Sequence, residues 1–300
     1  MENKFLIKDP KIGILLLNLN GSKDTIECLK SIKEINYKNY EIWVLDNGSG
    51  DDSVKKLREL KKKVKFNLLT LKENKGFTGG NNYLFNKIRK EGLDYLLLLN
   101  NDTIVEKNFL NPLMEKMGKN DNVGVVAPLV YNYYNKARLS FVDSPGKFNL
   151  LMGCGRRTRI HKENDFQVDY ASGVCWLIKK DLFEKMGGFN DKFFAYGEEI
   201  ELAFRIKKAG FKTFIIPSSR IWHKGAATSK KISGLRRYLE NRNTIWFEKK
   251  YGGFYYYPFL LYFMLYKTPK NILKISLNKN RYENLKAFLR GVRDGLSQGI

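Results

Sequence analysis

Short apolar segments that end in polar residues alternate with amphipathic segments along the first hundred positions. In the clearest example, the four leucines of Leu96–Leu99 lead directly into Asn100, Asn101 and Asp102. Uninterrupted apolar runs are typical of strands buried on both faces, whereas apolar residues three or four positions apart indicate helices. The alternation of the two patterns predicts an α/β fold with a mostly parallel central sheet and helices on both faces.

Polar side chains stand at the ends of several of these predicted strands. Ligands of open parallel sheets bind at the carboxyl ends of the strands, so we expect these side chains to form one polar pocket. Turns also favour Asn, Asp and Gly, which leaves unrelated turn residues as the alternative. The residues concerned are Asn18, Asp46, Asn47, Asn74, Lys75 and Asp102.

The second half of the chain is less regular. Residues 124–134 predict a further strand, residues 135–168 a basic surface loop, and residues 169–189 a strand followed by a short helix. Glu198 and Glu199 begin a helix with acids in its first turn and lysines in its last. This distribution suits the helix dipole, which alone would account for the two acids.

The chain is strongly basic. Its 300 residues carry a formal net charge of +23, which implies an anionic partner such as a nucleic acid, an anionic membrane or a phosphorylated substrate. No nucleic-acid-binding motif is present and the charge is spread along the chain, so we expect no nucleic-acid partner. The three cysteines form no C-x-x-C pair and the first residues do not resemble a secretory leader, which predicts a cytoplasmic location.

The C-terminal residues mix cations with aromatic side chains. Residues 254–266 are the most apolar run, but the run is too short to span a bilayer and contains Pro258. One interpretation is that Trp246, Phe247 and Leu260 pack helices against the rest of the chain. The other is an interfacial segment that contacts anionic lipid, and both can hold together.

Two common phosphate-binding motifs are missing from the sequence. The chain has neither G-x-x-x-x-G-K-[ST] nor G-x-G-x-x-G after its first predicted strand, which argues against a P-loop protein and a dinucleotide dehydrogenase. The segment GFTGGNN at residues 76–82 is a different glycine-rich turn. Its glycines either form the turn or let the backbone approach a ligand, so alone it is a weak signal.

Six segments, taken in order, resemble the family 2 glycosyltransferases, and in particular their rhamnosyltransferase-like branch. The resemblance covers roughly residues 11–230 and implies a GT-A nucleotide-diphospho-sugar transferase fold. It divides the chain into a catalytic domain, residues 1–230, and a C-terminal basic and aromatic helical appendage, residues 231–300. The segments are ILLLNLNG, VLDNGSGDDS, ENKGFTGGNN, LLLLNNDT, ASGVCWLIKKDLFEKMGGFNDKFFAYGEEIELAFRIKKAGF and IWHKGAATS.

The same resemblance implies roles for individual residues. Asp46 would contact the nucleotide base, and Asp102 with His223 would bind Mg²⁺ or Mn²⁺, although a lone histidine is more often structural. Glu199 would be the catalytic base, with Glu198 as its rival, in a position where the family usually has Asp. Asn100 stands where the metal motif D-x-D has its first Asp. The donor-binding residues implied are Asn18, Asp46, Asn47, Asn74, Gly76, Asn82, Asn100, Asn101, Gly173 and Glu198.

The function implied is an inverting, metal-dependent transfer of a sugar. The donor would be a nucleoside-diphosphate sugar, and the acceptor a hydroxyl of a glycan or lipid-linked glycan in surface polysaccharide synthesis. We expect the protein at the inner face of the cell membrane, held there peripherally by anionic lipid. The alternatives are a nucleotidyltransferase of related fold, whose glycine-rich Arg-Lys loop is absent from NLNGSKDT, and an inactive glycan-binding module.

Overall fold

The computed structural model describes most of the chain. Residues 1–8, Cys154 and residues 226–232, which contain the end of the motif IWHKGAATS, lie outside the described residues. The described ranges are 9–119, 121–140, 143–153, 155–161, 163–225, 233–277 and 280–299.

Strands and helices alternate through the first hundred residues and give way to a more mixed order afterwards. The strands are β1 (Ile12–Asn18), β2 (Tyr40–Asp46), β3 (Asn67–Thr70), β4 (Tyr95–Asn100), β5 (Thr103–Val105), β6 (Val123–Asn132), β7 (Gly146–Phe148), β8 (Gly155–Arg157), β9 (Phe166–Val168), β10 (Cys175–Lys179) and β11 (Lys212–His223). The helices are α1 (Ser22–Lys33), α2 (Ser53–Lys61), α3 (Gly76–Ile88), α4 (Leu110–Lys119), α5 (Lys180–Lys185), α6 (Glu198–Lys208), α7 (Ser233–Tyr251), α8 (Tyr256–Tyr262), α9 (Thr268–Ser276) and α10 (Arg281–Ser297).

One nine-stranded sheet organises the molecule in the order β3-β2-β1-β4-β10-β6-β11-β5, with β9 also paired to β11. The strands β3, β2, β1 and β4 run parallel, as the alternating pattern predicts, and β6 and β11 are also parallel. The strand β10 lies antiparallel between β4 and β6. Apolar clusters cover both faces of the sheet, which agrees with the uninterrupted apolar runs of its strands.

Two local predictions differ from the structure. The segment GFTGGNN is not a separate turn but forms the first part of α3. Only Gly76, the first residue of this helix, has a positive φ, of +73°. The predicted surface loop 135–168 contains the short strands β7, β8 and β9. Three-residue strands carry too few side chains to show a period of two, which is why the pattern missed them.

The C-terminal helices share a small apolar core of their own, and α7 also packs against β7 and α6. Phe247 on α7 is 1% exposed and packs against Phe148 and Phe204, so the packing interpretation of this residue is confirmed. The residues of the C-terminal core are Ile245, Phe259, Phe263, Ile275, Phe288 and Val292. The domain boundary at residue 230 stays a prediction, because it falls outside the described residues.

Candidate active site

The carboxyl ends of β1, β2 and β4 are joined by one chain of polar contacts. Asn18 lies directly opposite Asp46 in the β1–β2 register, and its Nδ2 donates to Asp46 Oδ2 at 2.7 Å. Thr25 on α1 donates to Asn18 Oδ1 at 2.7 Å and accepts a hydrogen bond from Asn101 Nδ2 at 2.8 Å. Ser49 donates to Asp46 from both its backbone N and its hydroxyl. The predicted convergence of Asn18 and Asp46 is therefore present in the structure, and Asn101 joins them through Thr25.

Asn47 and Asn74 form the next part of this edge. Asn47 Nδ2 donates to Asn74 Oδ1 at 3.1 Å and to the carbonyl of Gly76 at 2.9 Å. Asn74 Oδ1 also accepts from the backbone N of Gly76 at 2.8 Å. A Cβ on Gly76 would lie 2.4 Å from the carbonyl oxygen of Phe194, so only glycine allows α3 to begin this close to that residue.

Asp102, His223 and Asp143 form a hydrogen-bonded row beside the network. Thr103 lies opposite His223 in the antiparallel β5–β11 pair, which brings the preceding Asp102 to the imidazole. His223 Nε2 is 3.0 Å from Asp102 Oδ1, and its Nδ1 is 2.8 Å from Asp143 Oδ2. Burial lowers the pKa of His223, but the hydrogen bonds and charges of the two carboxylates outweigh it and raise the pKa to about 10.

Asp143 was not predicted as a site residue. Burial alone would raise its pKa, yet the hydrogen bond and charge of His223 hold the pKa of this carboxyl below its ordinary value. A carboxylate that binds the second nitrogen of a metal-ligating histidine fixes the orientation and tautomer of the ring. The segment VDSPG around Asp143 carries no strand or helix period, so the sequence offered no signal for this contact.

Asp102 and His223 are the candidate ligands of a divalent cation that takes few protein ligands. A cation held there would take the place of the proton in the hydrogen bond between Asp102 Oδ1 and His223 Nε2. The Oδ1–Nε2 separation is 3.0 Å. Among the described residues, no group of three or more His, Cys, Asp or Glu side chains is arranged to hold a metal. The remaining ligands would thus come from phosphate oxygens and water, as is common for Mg²⁺.

Glu198 and Glu199 are neighbours at the start of α6, but their surroundings differ. Glu198 is 6% exposed, and its Oε2 has no hydrogen-bond partner within the described part of the chain. Glu199 lines an open cleft of about 650 Å³ and accepts a hydrogen bond of 3.1 Å from Gly197 N. A Cβ on Gly173 would lie 3.3 Å from Glu199 Cβ, so the glycine lets the backbone approach this side chain closely.

The pKa values of both carboxyl groups are raised. Burial is the largest cause for Glu198, and the charge of Glu199 adds to it. Burial is also the largest cause for Glu199, opposed by backbone hydrogen bonds and supported by the charges of Glu240 and Asp143. A carboxylate with a raised pKa is a stronger base near neutral pH, and only Glu199 faces the cleft.

Asn243 on α7 holds the segment that leads into these two acids. Its Nδ2 lies 3.0 Å from the carbonyl oxygen of Phe193, 2.8 Å from that of Ala195 and 2.7 Å from that of Tyr196. Arg242 donates to the carbonyl of Phe193 as well, at 3.0 Å. These contacts supply donors to three carbonyl groups of the turn that precedes α6.

This turn contains two residues in the left-handed region. Phe194 has a φ of 65° and Tyr196 a φ of 67°, and neither is glycine. Such a conformation costs roughly 1–2 kcal/mol for each L-residue and persists only where neighbouring contacts enforce it. Arg242 and Asn243 are those contacts, and the sequence analysis did not identify either residue.

Two predicted donor-binding residues have other contacts. Asn82 lies on α3, where its Nδ2 donates to the carbonyl oxygen of Phe189 and its Oδ1 accepts from the backbone N of Phe189. Its Nδ2 also donates to Asp191 Oδ1 at 2.6 Å. Asn100 uses its backbone, accepting from the Thr103 hydroxyl at 2.7 Å. Both residues border the site, and their roles towards a ligand stay predictions.

A model of the family described as Glycosyl transferase family 2 matches residues 14–187. A low-salt glycan biosynthesis hexosyltransferase of Haloferax volcanii is 26% identical over 204 residues, which are 66% of this chain and 62% of that protein. A poly-beta-1,6-N-acetyl-D-glucosamine synthase of Staphylococcus aureus is 24% identical over 213 residues, 70% of this chain and 49% of that protein. The chain thus spans less than two thirds of the length of either relative.

The fold is shared with a solved structure. The crystal structure of GalNAc-T7 with UDP, GalNAc and Mn²⁺ matches with a TM-score of 0.67 and 16% identity, over 97% of this chain and 56% of that chain. The predicted GT-A fold, with a mostly parallel central sheet and C-terminal helices, is thereby confirmed.

The burial of Glu198 generates a prediction about stability. The pKa of Glu198 is raised in the folded state, so folding favours its protonated form. The stability that Glu198 contributes is fully present below the pKa it has in the unfolded chain, and it is lost as the pH rises through the folded-state pKa. Glu198→Gln removes that loss and should raise the melting temperature at pH 8 by a few degrees, on the order of 2–4 °C per kcal/mol. At pH 5 the gain should be smaller, as measured by thermal unfolding at both pH values.

The matched control is Glu184→Gln, because Glu184 is exposed. It should change the melting temperature little at either pH. A Glu198→Gln variant that is less stable than the parent at pH 8 would contradict the prediction.

Proposed function

Because this chain belongs to glycosyltransferase family 2, we propose that it transfers a sugar, with inversion, from a nucleoside-diphosphate sugar to a hydroxyl of a glycan or lipid-linked glycan. The observation that carries the proposal is the position of Asp143. Its Oδ2 binds His223 at 2.8 Å, and its Oδ1 accepts from Ser172 at 3.4 Å, next to Gly173, against which Glu199 packs. The candidate metal ligands and the candidate base therefore share one wall of one site.

Glu199 supplies the general base in this proposal. Its carboxylate faces the cleft and would accept the proton of the acceptor hydroxyl as the oxygen attacks the anomeric carbon. Glu198 is less suited, since it is buried against the protein. A single displacement, in which the acceptor attacks the face opposite the departing diphosphate, inverts the anomeric centre.

Asp102 and His223 would hold the divalent cation. Bound Mg²⁺ or Mn²⁺ would supply positive charge to the diphosphate as it leaves. Asp143 orients the imidazole through Nδ1, which leaves Nε2 directed at Asp102 and the ligand side. The GalNAc-T7 structure was solved with Mn²⁺ and UDP, which supports the choice of cofactor and donor class.

The polar network at the ends of β1 and β2 would receive the nucleotide. Asp46 is completely buried, and its three internal hydrogen bonds fix its carboxylate before any ligand arrives. Binding to a pre-ordered edge loses less conformational entropy than binding to a mobile one. Asn101, at the other end of the network, lies beside Asp102 in sequence, so nucleotide and diphosphate positions are contiguous.

An anionic membrane surface is the further partner that we propose. Residues 254–277, which include α8, α9 and the π-helical turn between them, expose a set of large apolar side chains, which we call the aromatic face. Residues 254–277 contain no Asp or Glu and three lysines, so the face is complementary to anionic lipid. In the part of the chain that the structure describes, no helix has the length and apolar character that crossing a bilayer requires. The aromatic face consists of Phe254, Tyr255, Tyr257, Leu261, Met264, Leu265, Tyr266, Ile272, Leu273 and Leu277.

The first prediction from this proposal concerns the donor site. One of UDP, dTDP and GDP, at about 100 times its Kd, should stabilise the protein by about 2.7 kcal/mol, and Mn²⁺ should enlarge the shift. Asp102→Asn should remove the Mn²⁺-dependent part of the shift, because it removes a ligand charge. The measurement is thermal unfolding with each nucleotide, with and without Mn²⁺.

Asp181→Asn is the control, since the side chain of Asp181 is exposed. It should keep the full Mn²⁺-dependent shift. If no nucleoside diphosphate shifts the melting temperature, the donor site is wrong and a glycan-binding module becomes the better interpretation.

The second prediction concerns the base. Glu199→Gln should lower kcat by about 10²–10⁴-fold, the usual contribution of a general base, while nucleotide binding is retained. The raised pKa of Glu199 means that activity should fall with decreasing pH, starting above the range of an ordinary Glu. The measurement is nucleoside diphosphate release against pH for the parent and for Glu199→Asp, which should recover part of the rate.

Glu59→Gln serves as a control on the exposed surface of α2. Unchanged turnover in Glu199→Gln would show that another residue is the general base.

The third prediction concerns the aromatic face. The protein should sediment with phosphatidylglycerol-containing vesicles at low salt, and less with pure phosphatidylcholine vesicles or at high salt, because ions screen the lysines. The double variant Leu265→Glu, Leu273→Glu should lose most of this binding. Leu289→Glu, also on an exposed leucine, is the control and should retain it. A parent protein that stays in the supernatant under all conditions would refute the membrane contact.

A further inference from the structure

The residue that follows His223 is a buried lysine whose charge the proposed chemistry does not use. The side chain of Lys224 is only 8% exposed, and a lysine is seldom buried unless its charge is paired. Its Nζ lies 2.6 Å from Asp24 Oδ1 and 2.7 Å from Glu27 Oε2, both on α1. The same nitrogen lies 5.0 Å from the centre of the Tyr133 ring. The ammonium group is thus held within the protein.

The backbone around Lys224 is bonded to the segments that carry both candidate metal ligands. Lys224 N donates to the carbonyl oxygen of Asp102 at 3.0 Å, and the carbonyl oxygen of His223 accepts from Tyr133 N at 3.0 Å. Asp102 and His223 lie at the end of the β5–β11 pair, where Asp102 Oδ1 is 3.0 Å from His223 Nε2. A displacement of Lys224 would therefore disturb the backbone of both candidate ligands.

The helix that binds Lys224 also belongs to the polar network at the strand ends. Thr25, the residue after Asp24, carries the two hydrogen bonds that connect the end of β1 with the segment after β4. Further along α1, Ser31 Oγ accepts from Val105 N at 3.2 Å, so β5 is attached to this helix without Lys224. The two ion pairs of Lys224 attach the end of β11 to the same helix.

We propose that Lys224 is a positioning residue of the candidate metal site. Its ion pairs with Asp24 and Glu27 hold the end of β11 against α1, so that His223 keeps its place beside Asp102 when a cation replaces the proton between them. This inference rests on the proposed function, because it concerns the metal of that same site. Groups that orient a metal ligand from outside typically contribute about 10–100-fold to metal affinity.

The test titrates Mn²⁺ on the full chain at a fixed concentration of the nucleoside diphosphate that stabilises the parent protein. The measured quantity is the Mn²⁺ concentration that gives half of the Mn²⁺-dependent part of the thermal shift. Because the free nucleotide binds Mn²⁺ equally in every sample, the ratio between two variants reports the protein. The thermal shift with nucleotide alone is measured in parallel.

Lys224→Met removes the charge and keeps an unbranched apolar side chain. The side chains of Asp24 and Glu27 are 21% and 32% exposed, so water can solvate both carboxylates in this variant. The Mn²⁺ concentration at half shift should rise by about tenfold or more. The shift with nucleotide alone should stay the same, because the hydrogen bonds of the polar network do not involve Lys224. A merely structural role would lower both.

Glu27→Gln is a milder variant, because Lys224 keeps its ion pair with Asp24. It should raise the Mn²⁺ concentration at half shift by a smaller factor. Added to Lys224→Met, it should have no further effect, since the ion pair that it removes is already lost. The control Lys90→Met makes the same charge change at an exposed position beyond the end of α3 and should match the parent.

The inference is overturned if Lys224→Met leaves the Mn²⁺ titration unchanged, if it weakens nucleotide and Mn²⁺ binding equally, or if the effects of Lys224→Met and Glu27→Gln add. If Lys224→Met does not fold, Glu27→Gln decides alone, and an unchanged Mn²⁺ titration in that variant overturns the inference. Failure of the proposed function is distinguishable, since the parent protein itself would then show no nucleotide-dependent shift.

Discussion

The hydrogen bond between Asn18 and Asp46 is the contact on which the geometry of the site depends. Both side chains are completely buried at the carboxyl ends of β1 and β2, where an unpaired amide or carboxylate would be costly. Each therefore requires partners, which Thr25 and Ser49 supply, and Asn101 in turn donates to Thr25. The two partners come from α1 and from the segment after β2, and the bond from Asn101 to Thr25 adds the segment after β4, so one network fixes the relative positions of three chain segments.

The C-terminal helices contribute to the site as well as to the surface. Asn243 binds the strained turn before Glu198, and Phe247 packs one turn further along α7 against Phe204 of α6. Tyr251, at the end of α7, donates to Glu201 of α6 at 2.5 Å. The helix α7 therefore supports both the entry to α6 and its buried side, while α8 and α9 bury Phe259 and Ile275 and leave several other apolar residues exposed. The packing interpretation is thus confirmed for the aromatic residues of α7, and contact of α8 and α9 with a membrane stays a proposal.

The sequence allowed the sheet, the strand ends and the position of Glu199 to be predicted, since each depends on local period or on motifs along β1, β2, β4 and α6. It did not reveal Asp143, because that contact depends on a tertiary approach of an irregular segment to the end of β11. Asn243 was missed for a related reason. A polar residue in a long helix is ordinarily solvated, and only the turn at residues 193–196 gives this amide its partners. Contacts between residues far apart in the sequence produce no periodic pattern of apolar and polar positions, so they could not be predicted from the sequence.

The hydrogen bonds of Asn243 also define how small a working unit of this protein can be. The region matched by the family model ends at residue 187, before Glu199, His223 and α7. A fragment cut at that residue would keep the parallel strands β1 to β4 and lose β11, the candidate base, one candidate metal ligand and the amide that shapes the turn. The smallest module that could be transplanted into another protein with its chemistry intact must therefore extend through α7, and through α10 that packs against it.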